Sequence, residues 1–219
     1  EAYLITDARY QTAFAGQYDD QHLVITRDYL GAVCDIIAKT GTGVMGFEAE
    51  IPYTAYSYLD ENLVSDLVAL PDVVDELRIT KSVDEIDRLR ASARLADAGF
   101  EYVTSIVRPG MREIDVSNLL DAFMRTHGAS GPSFTTIVLG GARAALPHGT
   151  ASKALLTAGQ LVTLDFGYFL DGYTSDMTRT FALGTPDDKL VTAYQAVQAA
   201  QQAVIDQVQA GAATAQLDA

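Results

Sequence analysis

A single cysteine, Cys34, is all the thiol the sequence contains, so no disulfide can form within it. Disulfide scaffolds are excluded, and a reducing, cytoplasmic setting is the expected one. Cys34 lies in an apolar helical stretch, which predicts a packed thiol rather than a reactive one. No run of about eighteen apolar residues occurs, so no transmembrane helix is expected. Basic residues are scarce: 15 Lys and Arg stand against 29 Asp and Glu, a formal net charge of −14. Nucleic acids and anionic membranes need Lys/Arg-rich surfaces, so neither is an expected partner. No signal-peptide pattern opens the sequence at Glu1, although a chain that opens on Glu can lack its natural start. Low-complexity segments and short repeats are missing too. Beyond Asp176 there is neither a histidine nor a glutamate.

What remains is a chain of 219 residues, 48% hydrophobic, enough for one large domain or two small ones with a buried core. Its first part alternates strand and helix signals. Residues 3–7, 22–26, 44–47 and 67–70 read as strands. Residues 28–40 read as a helix capped by Asp28 and stopped by Gly41, and Pro52 opens a short tyrosine-rich helix over 53–59. A small α/β layer domain over residues 1–80 is expected. Ser82-Val83-Asp84-Glu85 then forms a capping box. Ile86, Leu89, Ala93, Ala96, Phe100, Val103 and Val107 recur at spacings of three and four, the stripe of a long amphipathic helix. Pro109-Gly110 ends it, and a second helix is predicted over 112–127 with Gly128 as its stop. His127 falls in the last turn, where it interacts favourably with the helix dipole. Strands are predicted over 133–139, 161–166 and 178–183. Thr185 caps a helix with Pro186 at its first position; it runs towards Ala210 and packs Leu190, Tyr194, Val197, Val204 and Val208. Residues 214–219 read as the start of one more helix.

The most informative stretch is LVTLDFGYFLDGYTSDMTRTFAL, residues 161–183. Asp171-Gly172 midway between two β-branched and aromatic runs is a strong hairpin signal. With these two as the turn, Leu170 pairs with Tyr173, Gly167 lies opposite Asp176, and Asp165 lies opposite Thr178. Thr163, Asp165, Asp176, Thr178 and Thr180 then share one face. Asp165 and Asp176 become diagonal neighbours, roughly 7–8 Å apart at Cα. Two carboxylates on one stripe repel each other and are costly to bury, and a bound cation relieves both problems. Isolated strand acids are also common on a solvated face, so the pattern leaves that reading open. Arg179 points the other way, which predicts a structural ion pair.

Asp165-Phe166-Gly167 and the run from Gly172 to Phe181 resemble the LDFG…GYxSDxTRTF signature of the Xaa-Pro peptidases, members of the creatinase/methionine-aminopeptidase superfamily. The resemblance continues in order along the chain. Ser133-Phe134-Thr135-Thr136-Ile137-Val138 is similar to the family's first catalytic-domain strand. Ala145-Leu146-Pro147-His148-Gly149 is similar to its substrate-site histidine loop. Arg108-Pro109-Gly110-Met111-Arg112-Glu113 resembles the link between its first two catalytic-domain helices. Leu77-Arg78-Ile79-Thr80-Lys81-Ser82 with Glu85-Ile86 resembles the entry to that domain, and Asp7-Ala8-Arg9-Tyr10 an N-domain strand end. The fold implied is a partial N-terminal α/β domain, residues 1–80, followed by an incomplete α+β pita-bread domain, residues 81–219.

The resemblance implies metal-dependent hydrolysis of the Xaa-Pro bond by a metal-bridging hydroxide, releasing proline from dipeptides. It assigns Asp165 and Asp176 to two divalent ions; oxygen-rich ligation suits Mn2+, with Co2+ or Zn2+ able to substitute. It assigns His148 to the substrate and the oxyanion. Pro147 and Gly149 make sense of that loop, one favouring an extended predecessor and the other freeing the next turn. An unused loop histidine is the other reading. Phe134 lines the substrate pocket or is a core aromatic, Thr178 orients a metal ligand, and Tyr173 packs near the site. His22 begins a strand and carries no chemistry. The family normally adds a histidine and two glutamates downstream, so the sequence reads as a fragment, its activity that of the intact protein. Two aspartates alone hold a hard cation only weakly. A homodimer and a peptide substrate are expected. The alternatives are an aminopeptidase acting on longer peptides and a non-catalytic peptide- or protein-binding module.

Overall fold

The computed structural model describes residues 1–19, 21–71 and 73–217. The chain divides into two compact units, Glu1–Thr80 and Lys81–Ala219. In the first, β1 (Leu4–Thr6), α1 (Gln11–Phe14), β2 (Leu23–Ile25), α2 (Tyr29–Thr40), β3 (Val44–Glu48), α3 (Tyr53–Asn62), β4 (Asp66–Leu70) and α4 (Val73–Ile79) follow in order. β1 pairs with β2 and β3 with β4, both in parallel. Asp28 accepts from the Gly31 N–H and caps α2, and Gly41 closes it in a left-handed conformation. Asp7, directly after β1, is almost fully buried; its carboxylate takes the Arg9 guanidinium, the Arg9 N–H and the Tyr29 hydroxyl. Those bonds, led by the Arg9 side chain, hold its pKa well below the usual carboxylate range despite desolvation. Cys34 is half-buried on α2, and desolvation pushes its thiol pKa up.

The second unit opens with α5 (Val83–Ile106), started by the capping box: Ser82 Oγ accepts from the Glu85 N–H, and the Glu85 carboxylate accepts from the Ser82 N–H. α6 (Glu113–Thr126) lies against it. Helix α5 buries Ser92, Ala96, Gly99 and Val103. The predicted stripe holds at Ala96 and Val103, and Phe100 packs partly buried against the core, but Ala93 is exposed and Ser92 and Gly99 are buried although not predicted. The reason is closeness. Ser92 donates to the buried carbonyl of Tyr168, and a Cβ on Gly99 would meet Met124 Sδ of α6 at 2.7 Å. His127 closes α6 with Nδ1 2.8 Å from the Phe123 carbonyl and its ring stacked on Phe123, a structural role.

Strands β6 (Ile137–Gly140), β7 (Gln160–Phe166) and β10 (Met177–Leu183) form an antiparallel sheet in the order β10-β7-β6. β5 (Gly131–Pro132), β8 (Tyr168–Leu170) and β9 (Tyr173–Thr174) form a second, in the order β5-β8-β9. Val162, Leu164 and Phe166 turn inward with Tyr168 and meet Val103, Val116, Leu120 and Met124 in one core. The predicted strand over 133–139 is split. Gly131–Pro132 pairs with β8, Ile137–Gly140 with β7, and the stretch between crosses from one sheet to the other.

Helix α7 (Asp188–Gln207) is capped by Asp187, whose side chain accepts from the Leu190 N–H, so the cap lies two residues beyond the predicted Thr185. Little of its predicted packing is present among the described residues: Leu190 is half-buried, the remaining residues of α7 are exposed, and Val197 is 70% exposed. Alanine and glutamine, strong helix formers, account for the helix without that packing. α8 (Thr214–Leu217) matches the last predicted helix as far as Leu217; Asp218 and Ala219 lie outside the described residues. Among the described residues no helix is long and apolar enough to cross a membrane.

Candidate functional site

The hairpin forms in the predicted register. Asp171 and Gly172 take φ of 49° and 81°, the two positive values that a tight two-residue turn requires. Leu170 pairs with Tyr173, Phe166 with Met177, and Asp165 with Thr178. Alternation does the rest. Leu164 and Phe166 are fully buried, so Thr163 and Asp165 face the other way. Thr178 Oγ1 donates to Asp165 Oδ1 at 2.9 Å, and the Thr163 and Thr180 hydroxyls meet at 3.1 Å, so the polar stripe is continuous. Ile137 of β6 flanks Asp165 on its other side.

Between Gly167 and Asp176 the hairpin changes sheets without losing register. Ser133 makes the switch: its N–H donates to the Gly167 carbonyl at 2.9 Å, and its hydroxyl donates to the Ser175 carbonyl at 3.3 Å. A side chain at Gly167 has no room, since a Cβ there would lie 2.0 Å from the Ser175 oxygen and 2.8 Å from Phe134 Cε1. Asp176 follows this pinch directly.

His148 comes from the loop after β6. A short 3-10 turn, Gly141–Ala145, leads to Pro147-His148-Gly149. Gly149 backs onto β6 so closely that a Cβ would meet Leu139 Cδ1 at 2.6 Å. This packing carries His148 to a cavity of about 470 Å³ lined by Phe134, Thr135, Ile137, His148, Gly149, Thr150, Asp165 and Asp176. Asp165 is half-buried, Asp176 and His148 are exposed, and Phe134 is half-buried at the cavity wall.

Four of the residues singled out in the sequence thus share one cavity, and Thr178 touches it through Asp165. Tyr173 does not join them. Its hydroxyl donates to Glu85 and its ring lies under Arg88, so it fastens the hairpin turn to α5. Arg179 makes no ion pair among the described residues; it is exposed and donates to the Thr178 carbonyl. Thr135, Ile137, Gly149 and Thr150 were not singled out individually; their only sequence signal is membership in the two motifs that carry Phe134 and His148.

The donor set suits a hard cation, since two carboxylates on one face of a cavity offer oxygen ligands. It is a partial set: among the described residues, no cluster of three or more His, Cys, Asp or Glu side chains is placed to hold a metal.

Residues 87–219, more than half of the chain, match the model of metallopeptidase family M24. The chain belongs to metallopeptidase family M24. This M24 chain is 37% identical over 224 residues to an uncharacterised peptidase of Bacillus subtilis, YqhT, covering 100% of the chain and 63% of that protein. It is 31% identical over 187 residues to the Xaa-Pro dipeptidase of Pyrococcus furiosus, covering 85% and 53%. Among solved structures it resembles the Xaa-Pro dipeptidase from Bacillus anthracis, with a TM-score of 0.92, 38% identity, and coverage of 99% of this chain and 61% of that one. The X-Pro aminopeptidase from Thermotoga maritima aligns at a TM-score of 0.87 and 28% identity, covering 99% and 62%. The fold is therefore the expected M24 pita-bread architecture, and the chain spans 53% to 63% of the length of these relatives.

Proposed function

We propose that the protein to which this chain belongs hydrolyses the peptide bond preceding proline and releases proline from Xaa-Pro dipeptides. The observation that carries the reading is the meeting of Asp165, Asp176, His148 and Phe134 in one cavity, in a chain of this family. Asp165 and Asp176 hold the divalent ions, with manganese the metal expected for oxygen donors. When bound, such ions supply an activated water at neutral pH and positive charge beside the scissile carbonyl. Thr178 keeps Asp165 in one rotamer through its hydrogen bond, which orients the carboxylate towards its ligand. His148 presents an imidazole N–H to the carbonyl oxygen, where negative charge grows as the carbonyl is attacked. Phe134 offers an apolar wall for the proline ring. The homologous dipeptidases support dipeptides as substrates; the aminopeptidase neighbour makes longer Xaa-Pro peptides the second class. A homodimer working in the cytoplasm completes the reading.

The test is proline release from Ala-Pro and from Ala-Pro-Ala by the full-length protein with Mn2+. We expect Ala-Pro to be preferred. Asp165→Asn with Asp176→Asn should abolish both metal binding and proline release while the circular dichroism spectrum stays native. Proline release undiminished in the double variant would refute the assigned roles.

A further inference from the structure

Glu113, the first residue of α6, is only 1% exposed although it is a carboxylate. A buried charge of this kind is tolerated only where hydrogen bonds replace its water. Four donors do so. Gly140 N–H and Arg143 Nε reach Oε1 at 3.1 and 3.0 Å, and the N–H and hydroxyl of Ser152 reach Oε2 at 3.0 and 2.8 Å. Burial alone would raise the pKa of this carboxyl; the bonds from Ser152, Gly140 and Arg143 outweigh burial and leave it below its ordinary value.

The identity of the partners matters more than their number. Gly140 is the last residue of β6 and Ser152 lies beyond the histidine loop, so one carboxylate ties both ends of residues 141–151. Arg143, held by the same carboxylate, donates Nη2 to the Thr150 carbonyl at 2.8 Å and fastens the loop across its middle. The α6 start is bound in return: the Glu113 and Ile114 N–H groups donate to the carbonyls of Ala154 and Ser152 at 3.0 and 2.9 Å. Yet among the described residues no hydrogen bond reaches the imidazole of His148. Its place in the cavity is set by the backbone that carries it, and that backbone is fixed from below by Glu113 and from the side by Gly149 packed on Leu139.

We propose that Glu113 is a positioning residue for His148, acting through Gly140, Arg143 and Ser152 to fix the backbone that presents the imidazole to the cavity. Its consequence for catalysis rests on the role given to His148 above. The charge is well suited to the task. Bonds to an ionised acceptor are shorter and about twice as strong as neutral ones. A single side chain then sets both loop ends, which is how a site keeps its geometry on a loop rather than on a strand.

The test uses the full-length protein and two substitutions. Glu113→Gln keeps the size of the side chain and one acceptor oxygen, but its amide N–H2 must face a donor at one end of the loop. Ser152→Ala removes a single donor and is the milder change. The first readout is the imidazole signal of His148 in a histidine-labelled NMR spectrum, identified by its loss in His148→Gln. Both variants should shift or broaden it, while the signals of His22 and His127 stay in place. The second readout is Ala-Pro hydrolysis: kcat should fall on the order of tenfold to a hundredfold in Glu113→Gln, as expected for an ångström-scale misplacement, with KM little changed. Adding Glu113→Gln to His148→Gln should cost nothing further, because the two act as one unit. An unmoved His148 signal in Ser152→Ala and Glu113→Gln overturns the proposal, as does a full additional loss in the double variant. Should Glu113→Gln fail to fold, the Ser152→Ala signal alone decides. Wild-type turnover in His148→Gln would instead remove the role of His148 and leave the spectroscopic result to judge Glu113.

Discussion

The pinch at Gly167 offers a direct check on how Asp165 and Asp176 are held together. A methyl group there would start 2.0 Å from the Ser175 carbonyl oxygen, 2.5 Å from Ser133 Oγ and 2.8 Å from Phe134 Cε1. The serine hydroxyl and the phenyl ring can rotate away. The carbonyl is backbone, and the ordinary carbon–oxygen approach is roughly 3.3–3.6 Å. Ser175, and Asp176 after it, must therefore withdraw by more than about 1 Å from the strand that carries Asp165. Ser175 resists, because its N–H donates to Tyr168 and its carbonyl accepts from Ser133. Gly167→Ala should then cost about 1–3 kcal/mol of stability, the usual range for overpacking. It should also weaken Mn2+ binding and cut Ala-Pro turnover on the order of a hundredfold. Gly43 is the control: a Cβ there meets nothing within 4 Å, so Gly43→Ala should stay within about 0.5 kcal/mol of wild type. Urea denaturation, calorimetric Mn2+ titration and proline release measure the three effects. A Gly167→Ala protein with the wild-type midpoint and the wild-type Mn2+ affinity would refute the idea that this contact sets the spacing of the two aspartates.

Two further outcomes follow from single hydrogen bonds. Thr178→Val keeps shape but removes the donor to Asp165 Oδ1. Because Thr178 is exposed, stability should change by less than about 1 kcal/mol while Mn2+ affinity falls about tenfold; calorimetry showing the opposite ranking would exclude an orienting role. Asp7 gives a pH signature. Its folded pKa is depressed by Arg9, so its contribution to stability is present above the unfolded value of about 3.9 and is lost as pH falls towards the folded one. Asp7→Asn should therefore be destabilised at pH 7, with the gap to wild type closing below about pH 4; a gap constant between pH 7 and pH 3 in denaturant titrations would contradict the Asp7–Arg9–Tyr29 cluster.

The hairpin was legible because everything that shapes it is local. Asp171-Gly172 sets the turn, the alternation of Leu164 and Phe166 with Asp165 sets the faces, and the register follows from both. The helix caps at Asp28 and Ser82 were legible for the same reason, each being a contact over three residues. Where the reading slipped, the deciding partner was far away. The buried face of α5 extends to Ser92 and Gly99, unremarkable in a helical pattern, because they meet Tyr168 and Met124. Ordinary hydrophobicity picks out Phe100, which does pack on the core, but gives no sign of Gly99, which the proximity of a second helix buries. On α7 the apolar spacing predicted a packed stripe, yet among the described residues only Leu190 is half-buried, since periodicity reports a face and not its partner.

Glu113 shows the same limit at the site. In the sequence it is an acid in the first turn of a helix, a position explained well enough by the helix dipole. Its actual partners lie 27, 30 and 39 residues away and no local spacing relates them. His148, by contrast, could be singled out because residues 145–149 resemble the family's histidine loop; Pro147 and Gly149 fit that resemblance but by themselves leave an unused loop histidine as the other reading. The two observations belong together. A loop that displays an imidazole with no hydrogen-bond partner among the described residues needs an anchor elsewhere, and the anchor must be strong enough to offset the freedom of eleven residues between Gly140 and Ser152. A buried carboxylate with four donors meets that demand where a surface ion pair, worth about 1 kcal/mol or less, would not. The charge at Glu113 is thus the counterpart of the openness at His148, and a variant that neutralises the first should be read in the signal of the second.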